Sequence, residues 1–224
     1  MKKILVLTVL MLSACAAFSQ SILTAAAFFQ AVSAEYGKIN DYEADLSLKK
    51  QNTVMEGRVS FKRPDLLRID FTKPSDQVIC FNGDMLTIYL SEIPAILNQS
   101  VESAGANNSA NLATPQGLAL MSRYYSVAYE NGQESEALEE GSSEMVVKLR
   151  LSRRNTTEAF RYIYMSVLPD SKLIRRIVAV TPQNEQYQFD FTNYTLNQGI
   201  SDQRFIYDPP TDANNYNNFL FSEQ

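Results

Sequence analysis

The stretch FKRPDLLRID FTKPSDQVIC FNGDMLTIYL, running from Phe61 to Leu90, decides the fold. It reads as two β-hairpin units with their punctuation intact. Val59 to Arg63 alternates apolar and polar residues and stops at Pro64, which has no N–H to give to a strand ladder. Leu67-Arg68-Ile69-Asp70-Phe71 resumes the alternation and puts Leu67, Ile69 and Phe71 on one face. Lys73-Pro74-Ser75-Asp76 breaks it again. Val78 to Phe81 and Met85 to Leu90 then flank Asn82-Gly83, a pair that predicts a type I′ turn in which both central residues take positive φ.

Outward from this stretch, the period-two pattern covers much of the chain. Asp41 to Lys50 places Tyr42, Ala44, Leu46 and Leu48 on one side, and Val54 to Lys62 is set to pair with it. From Met145 to Gly199 the alternation is nearly continuous: Val147-Leu149-Leu151, Tyr162-Tyr164, Ile174-Arg176-Val178-Val180 and Tyr187-Phe189-Phe191. Pro169-Asp170-Ser171 and Pro182-Gln183-Asn184 mark the turns. Two stretches have helical spacing instead. Ser21 to Tyr36 carries Ala25, Phe29, Val32 and Tyr36 on one face and meets Gly37 at its end. Thr114-Pro115 is an N-cap followed by proline at the first helical position, ahead of the face formed by Leu118, Met121, Ser122 and Tyr125. Asn98 to Thr114 is a polar run without period, a surface insertion or a functional loop, and Glu130 to Glu144 is an acidic hairpin tip. There is no internal repeat and no linker. The pattern predicts one α+β, mainly β, domain with a strongly curved antiparallel sheet.

Composition removes several function classes. The chain has 224 residues, with 12 Tyr, 12 Phe and no His, so the usual general base near neutral pH and the commonest metal ligand are both missing. A net charge of −5 argues against nucleic acid, whose phosphates need a basic face. Asp65, Asp70 and Asp76 lie beside turns without metal-ligand spacing, so no cofactor is expected and an enzyme is disfavoured. Cys80 sits between Ile79 and Phe81 and reads as a small buried hydrophobe rather than a nucleophile. Strands this short, mixed with helices, do not suit a transmembrane barrel.

A strand ending in Lys-Arg-Pro, a following Asp-Leu run, then Lys-Pro, an apolar strand, an Asn-Gly turn and a strand carrying Tyr near its end resembles the outer-membrane lipoprotein carrier family, LolA. Leu168-Pro169-Asp170-Ser171 and the block Ile200-Ser201-Asp202 through Phe205, Tyr207 and Pro209-Pro210 are similar to that family's C-terminal end. The resemblance spans most of the chain after Ser21. It implies an open, incomplete barrel with an apolar concave side closed by helical lids, and a periplasmic chaperone that carries lipoproteins from the inner to the outer membrane. Its partners would be acylated lipoproteins, an inner-membrane lipoprotein-releasing ABC transporter complex and an outer-membrane acceptor, and the carrier would act as a monomer. The chemistry is coherent. Exposing one acyl chain of about sixteen carbons to water costs on the order of 10 kcal/mol, so the anchor needs an apolar shelter and no catalytic group. The candidate lining is Leu46, Leu48, Val59, Phe61, Leu67, Ile69, Phe71, Ile79, Leu86 and Ile88 from the sheet, with Phe28, Phe29, Leu118 and Met121 from the lids. One departure is the aliphatic pair Leu67 and Ile69, where the family often has aromatics.

Arg63 ends the Lys-Arg-Pro strand. By strand parity it shares a face with Val59 and Phe61, where its planar fork would need carbonyl partners at a lid helix end. The plain alternative is an exposed arginine at a strand end. The resemblance assigns Arg63 the role of latching the lid when the cavity is empty.

The N-terminus reads as an export leader. Lys2 and Lys3 precede an apolar run, Ile4 to Leu12, that is too short for a permanent span. Ala17-Phe18-Ser19 offers a cleavage site that makes 1–19 a signal peptide and 20–224 the carrier domain. Leu12-Ser13-Ala14-Cys15 offers a lipobox that would leave Cys15 acylated, as in a membrane-anchored acceptor similar to LolB or a general lipid-binding protein. A diffusible carrier favours the first.

Overall fold

The computed structural model describes residues 23–100 and 114–219. The leader, with Cys15, and residues 101–113 of the predicted loop lie outside the described residues. Thirteen strands run in chain order. They are β1 (Asp41–Lys50), β2 (Thr53–Lys62), β3 (Leu66–Lys73), β4 (Ser75–Phe81), β5 (Met85–Leu90), β6 (Ala95–Ser100), β7 (Tyr125–Tyr129), β8 (Glu136–Ala137), β9 (Met145–Arg153), β10 (Tyr162–Val167), β11 (Ile174–Val180), β12 (Gln186–Leu196) and β13 (Asn214–Asn217). Two α-helices, α1 (Ala25–Tyr36) and α2 (Pro115–Tyr124), and a short 3-10 turn (Asp202–Phe205) complete the described residues.

The strands form one sheet in the order β13-β6-β5-β4-β3-β2-β1-β12-β11-β10-β9-β7, with β8 a side branch on β9. The order is unclosed, ending at β13 and β7. β13 joins β6 in parallel, while the hairpin ladders are antiparallel. Register shifts at Glu43/Asp45, Glu56/Gly57 and Asp70/Thr72 put bulges in the middle strands, where they bend the sheet. Gly57 sits at one of them. A side-chain carbon there would press on the Asp70 carbonyl oxygen and lie 2.9 Å from the Phe71 Cα, so the crossing of β2 and β3 has room only for glycine.

Both helices start at hydroxyl caps. Thr24 Oγ1 accepts from the Ala27 N–H at 3.2 Å, which starts α1 at Ala25 rather than at Ser21 as the spacing predicts. Thr114 Oγ1 accepts from the Gly117 N–H at 3.1 Å, with proline in the first turn, as expected. Helix α1 does end at Gly37, but this glycine is right-handed at φ −58°, so a left-handed cap is not what stops the helix.

One face of the sheet packs against the helices to make the core. Phe28, Phe29, Val32, Tyr36, Leu118 and Met121 of the helices cluster with Tyr42, Phe61, Leu149, Leu151 and Met165 of the strands. Two strand phases differ from the sequence reading. On β10 the inward residues are Ile163, Met165 and Val167, with Tyr162 and Tyr164 outward. On β11 Ile174 faces in as expected, but beyond it the inward residues are Ile177 and Ala179, so Arg176 and Val178 face out. On β11 a bulge opposite Ser166/Val167 places Arg175 as an extra residue between Ile174 and Arg176, and this one-residue slip exchanges the faces beyond it. The Asn82-Gly83 turn also differs. Only Gly83 has positive φ, at 100°, and Phe81 pairs with Leu86, leaving a four-residue loop. Asn82 Oδ1 accepts from the N–H groups of Asp84 and Met85, so the asparagine works through its side chain.

Candidate functional site

The inner face of the sheet is the candidate site. Of the predicted lining, Phe28, Phe29, Leu46, Val59, Phe61, Leu67, Leu118 and Met121 lie buried in one apolar cluster, with Ile69 and Leu86 packed against it. Phe71 is buried, while Leu48, Ile79 and Ile88 are half-buried. Register shows why they share a face. Val59 pairs with Ile69, Ile69 with Ile79, and Ile79 with Ile88, and residues directly opposite in a ladder point the same way.

Arg63 sits just past the end of β2, in the turn to β3. Its Nε donates to the Ile39 carbonyl at 2.7 Å, and its Nη2 donates to the carbonyls of Tyr36, at 3.4 Å, and Gly37. These are the carbonyls that a helix C-terminus leaves without intrahelical partners, and the helix dipole adds attraction for a cation there. The arginine does at α1 what a left-handed glycine does elsewhere. Its backbone is fixed too, since the Arg63 N–H donates to the Asn40 carbonyl at 2.9 Å. Arg63 is exposed, and the contacts it makes are polar.

A second tie at the same helix end is buried, and the sequence reading missed it. The Ile174 N–H donates to Tyr36 Oη at 3.1 Å, Tyr194 Oη donates to the Ile174 carbonyl at 2.8 Å, and the two hydroxyls are 3.3 Å apart. With the Tyr194 proton committed to Ile174, Tyr36 is the donor between the hydroxyls, and the ring of bonds closes. Burial pushes the Tyr36 hydroxyl up to about 12, against the lowering pull of Tyr194 and Ile174. Tyr42 and Phe191 stack around it. Tyr194 follows Asn193, whose φ of 52° breaks the strand parity that would have placed it.

The outer face carries ion pairs over its middle strands and a small apolar cluster, Val78, Cys80, Tyr89 and Ile96, over β4 to β6. Asp70 pairs with Arg68 at 2.8 Å and with Arg204, and Arg68 also donates to the carbonyls of Arg204 and Ile206. Burial alone would raise the Asp70 carboxyl, but the hydrogen bonds and charges of Arg68 and Arg204 hold it below the usual range. These contacts fasten the segment around the 3-10 turn across β2 to β4. Cys80 lies under it, buried, with its thiol donating to the Phe205 carbonyl at 3.2 Å and pushed up by burial. Asp65 and Asp76 do not join Asp70. Among the described residues no group of three His, Cys, Asp or Glu could hold a metal ion, and no helix is long and apolar enough to cross a membrane.

Solved structures share this architecture. An uncharacterized conserved protein from Thermus thermophilus superposes with a TM-score of 0.55 at 14% identity, over 84% of this chain and 98% of that one. The Mycobacterium tuberculosis lipoprotein LppX gives 0.50 at 9% identity, over 79% and 96%. A chain of the Pseudomonas aeruginosa MucA/MucB complex gives 0.50 at 9% identity, over 82% of this chain and 61% of that one. At such identities the likeness establishes the fold alone. A search of curated proteins finds no match. Residues 42–208, well over half of the chain, match the family described as outer membrane lipoprotein carrier protein LolA. With the unclosed sheet, its two helices and that match in hand, the chain belongs to the LolA family.

Proposed function

We propose that this protein is a periplasmic lipoprotein chaperone. It takes the acyl chains of a lipoprotein anchor against the inner face of the sheet and carries them from the inner to the outer membrane. The inner-membrane lipoprotein-releasing ABC transporter complex would supply the cargo, and an outer-membrane acceptor would receive it. No step needs a catalytic group.

The observation that carries this reading is Arg63 at the C-terminal carbonyls of α1. The helices cover an apolar face, yet this contact is made of hydrogen bonds that are part-buried at Ile39 and Tyr36 and exposed at Gly37, from an arginine that is itself exposed. Apolar packing is non-directional, so acyl chains can replace helix side chains on the same surface. A guanidinium that caps the helix only when it lies down on the sheet favours the closed, empty form. By linkage it weakens cargo retention and promotes release.

The test is Arg63→Leu in a release assay with lipoprotein-loaded inner-membrane vesicles. The variant should fold and take up cargo, while its transfer to outer-membrane vesicles slows by a few-fold to about tenfold, the equivalent of roughly 1 kcal/mol. If uptake and transfer both match the wild type, Arg63 is not a latch. If the wild type itself releases no lipoprotein, the carrier reading fails. The intact mass of the native protein adds a second arm. An unmodified chain beginning at Gln20 fits a diffusible shuttle, whereas an acylated Cys15 fits an anchored acceptor.

A further inference from the structure

The apolar row that starts in the core does not stop at the helices. Val59 pairs with Ile69, Ile69 with Ile79, Ile79 with Ile88, Ile88 with Leu97 and Leu97 with Tyr216. Along this row exposure rises from 3% at Val59, through half-buried Ile69 to Leu97, to 54% at Tyr216 on the edge strand. At its outer end lies an open groove of about 1030 Å³, whose apolar lining includes Leu90, Ile93, Leu97 and Tyr216. Ile93 is 65% exposed. A rim-to-core gradient of large apolar side chains on one face is a costly thing to leave in water.

We infer that this β5–β6–β13 groove is the mouth of the acyl site: an acyl chain of a lipoprotein anchor first lies in it and then passes inward along the Leu97-to-Ile69 row. The inference rests on the carrier reading above, and three features specify the occupant. From Ile69 to Tyr216 the row crosses four strand gaps, about 19 Å at roughly 4.8 Å each. One leaflet of bilayer hydrocarbon, half of roughly 30 Å, is about 15 Å deep, so the row accommodates one extended chain. The inward positions of β3 to β6 and β13 carry no Asp, Glu, Lys or Arg. Finally, the polar residues around the groove are Asp212 and the asparagines 214, 215, 217 and 218, with no cation, and of these Asn215 and Asn217 lie on the alternate face of β13, accepting from Asn98, which leaves Asn214 on the face of the row. Asparagine amides suit the uncharged esters and amide of a diacylated cysteine. A phospholipid phosphate would call for Arg or Lys and would meet Asp212 instead.

The experiment uses the full chain and two vesicle-borne probes with the same photoreactive acyl group, a synthetic diacylated lipopeptide and phosphatidylglycerol, with crosslinks mapped by mass spectrometry. The lipopeptide should label the peptides holding Ile93, Leu97 and Tyr216 as well as those holding Ile69 and Ile79, and phosphatidylglycerol should label the groove at least fivefold less. Tyr216→Asn, at an exposed position that the core does not need, should slow lipopeptide capture fivefold or more without changing the final stoichiometry. Capture with labels confined to the peptides of α1 and β2 overturns the mouth and leaves the carrier reading intact. Equal or stronger labelling by phosphatidylglycerol overturns the choice of occupant, and an unchanged capture rate in Tyr216→Asn overturns the route. If the wild type captures no lipopeptide at all, the carrier reading falls and this inference with it.

Discussion

Leu149 and Lys148 are neighbours on β9, yet Leu149 is wholly buried on the helix side of the sheet while Lys148 faces Glu136 across 3.8 Å on the other side. The same contrast recurs on β1 to β3, β11 and β12, while on β4 to β6 the outer face carries a small apolar cluster of Val78, Cys80, Tyr89 and Ile96. The outer face carries a belt of ions in which Arg175 and Arg176 share Asp190, Asn193 reaches Asp45, Arg58 bridges Asp45 and Glu43, and Arg204 joins Ser60 to Asp70. Hydrogen bonds and ion pairs are directional. Each fixes one strand against another, with a strength that solvent screening limits where the pair is exposed. The inner face uses contacts that only need apolar atoms nearby. The lesson is a division of labour: directional contacts fix strand against strand on much of the outer face, while the inner face is held to the helices by apolar packing. Arg63 and the Tyr36–Tyr194–Ile174 ring stand where the two chemistries meet, at the end of α1.

Three substitutions measure how far this contrast holds. The largest effect is expected on the inner face. Leu149→Ala removes a side chain with no exposure from the middle of the cluster and should cost about 3 kcal/mol, a fall in Tm of roughly 6–12 °C for a domain of this size. A thermal melt by circular dichroism checks it. A fall under about 2 °C would mean that the inner face is loosely packed even when the helices cover it. Next comes Tyr194→Phe, at the seam. It deletes the donor to the Ile174 carbonyl and the acceptor for Tyr36, for an expected loss of about 1–2 kcal/mol in chemical denaturation. A neutral result would show that the tyrosine ring contributes aromatic packing and not hydrogen bonds to the end of α1.

Much of this contrast was legible in the sequence, and the gaps have physical causes. Period-two patterns located the hairpins of β1 to β5 and the four long strands from β9 to β12, and the Thr114-Pro115 signal located α2. What failed was phase and partnership. Tyr162 and Tyr164 set the wrong phase on β10 because aromatic residues suit either face, and Arg176 and Val178 fall out of phase on β11 because the bulge at Arg175 has no marker of its own. β6 and β13 were missed because Asn98, Gln99 and Ser100, and the run Asn214-Asn215-Tyr216-Asn217, are poor strand formers held by their neighbours. Ten of the fourteen candidate lining residues belong to or pack on the one cluster, since strand parity alone defines a face. The carbonyls that Arg63 reaches, and the pairing of Asp70 with Arg204 134 positions away, depend on where the chain returns, which no local pattern encodes.

The smallest effect separates the faces by their chemistry rather than their size. Asp70 is held below its ordinary value of 3.8 in the folded protein by Arg68 and Arg204. A carboxylate with a depressed folded pKa stabilises the fold fully above its unfolded pKa, and that stabilisation is lost as the pH falls through the folded one. With a third of the side chain exposed, solvent screening limits the contribution to under about 1 kcal/mol. Asp70→Asn should therefore lower Tm by about 1–3 °C at pH 6, and the gap to the wild type should narrow once the pH drops below about 4. Leu149→Ala is the control, because a cavity in the apolar core has no proton to bind and its deficit should stay constant over the same range. If the Asp70→Asn deficit also stays constant down to pH 2, the arginines hold the segment around Phe205 through their carbonyl contacts alone. The outer face would then owe its rigidity to hydrogen bonds to the backbone, and the ions on it would be dispensable.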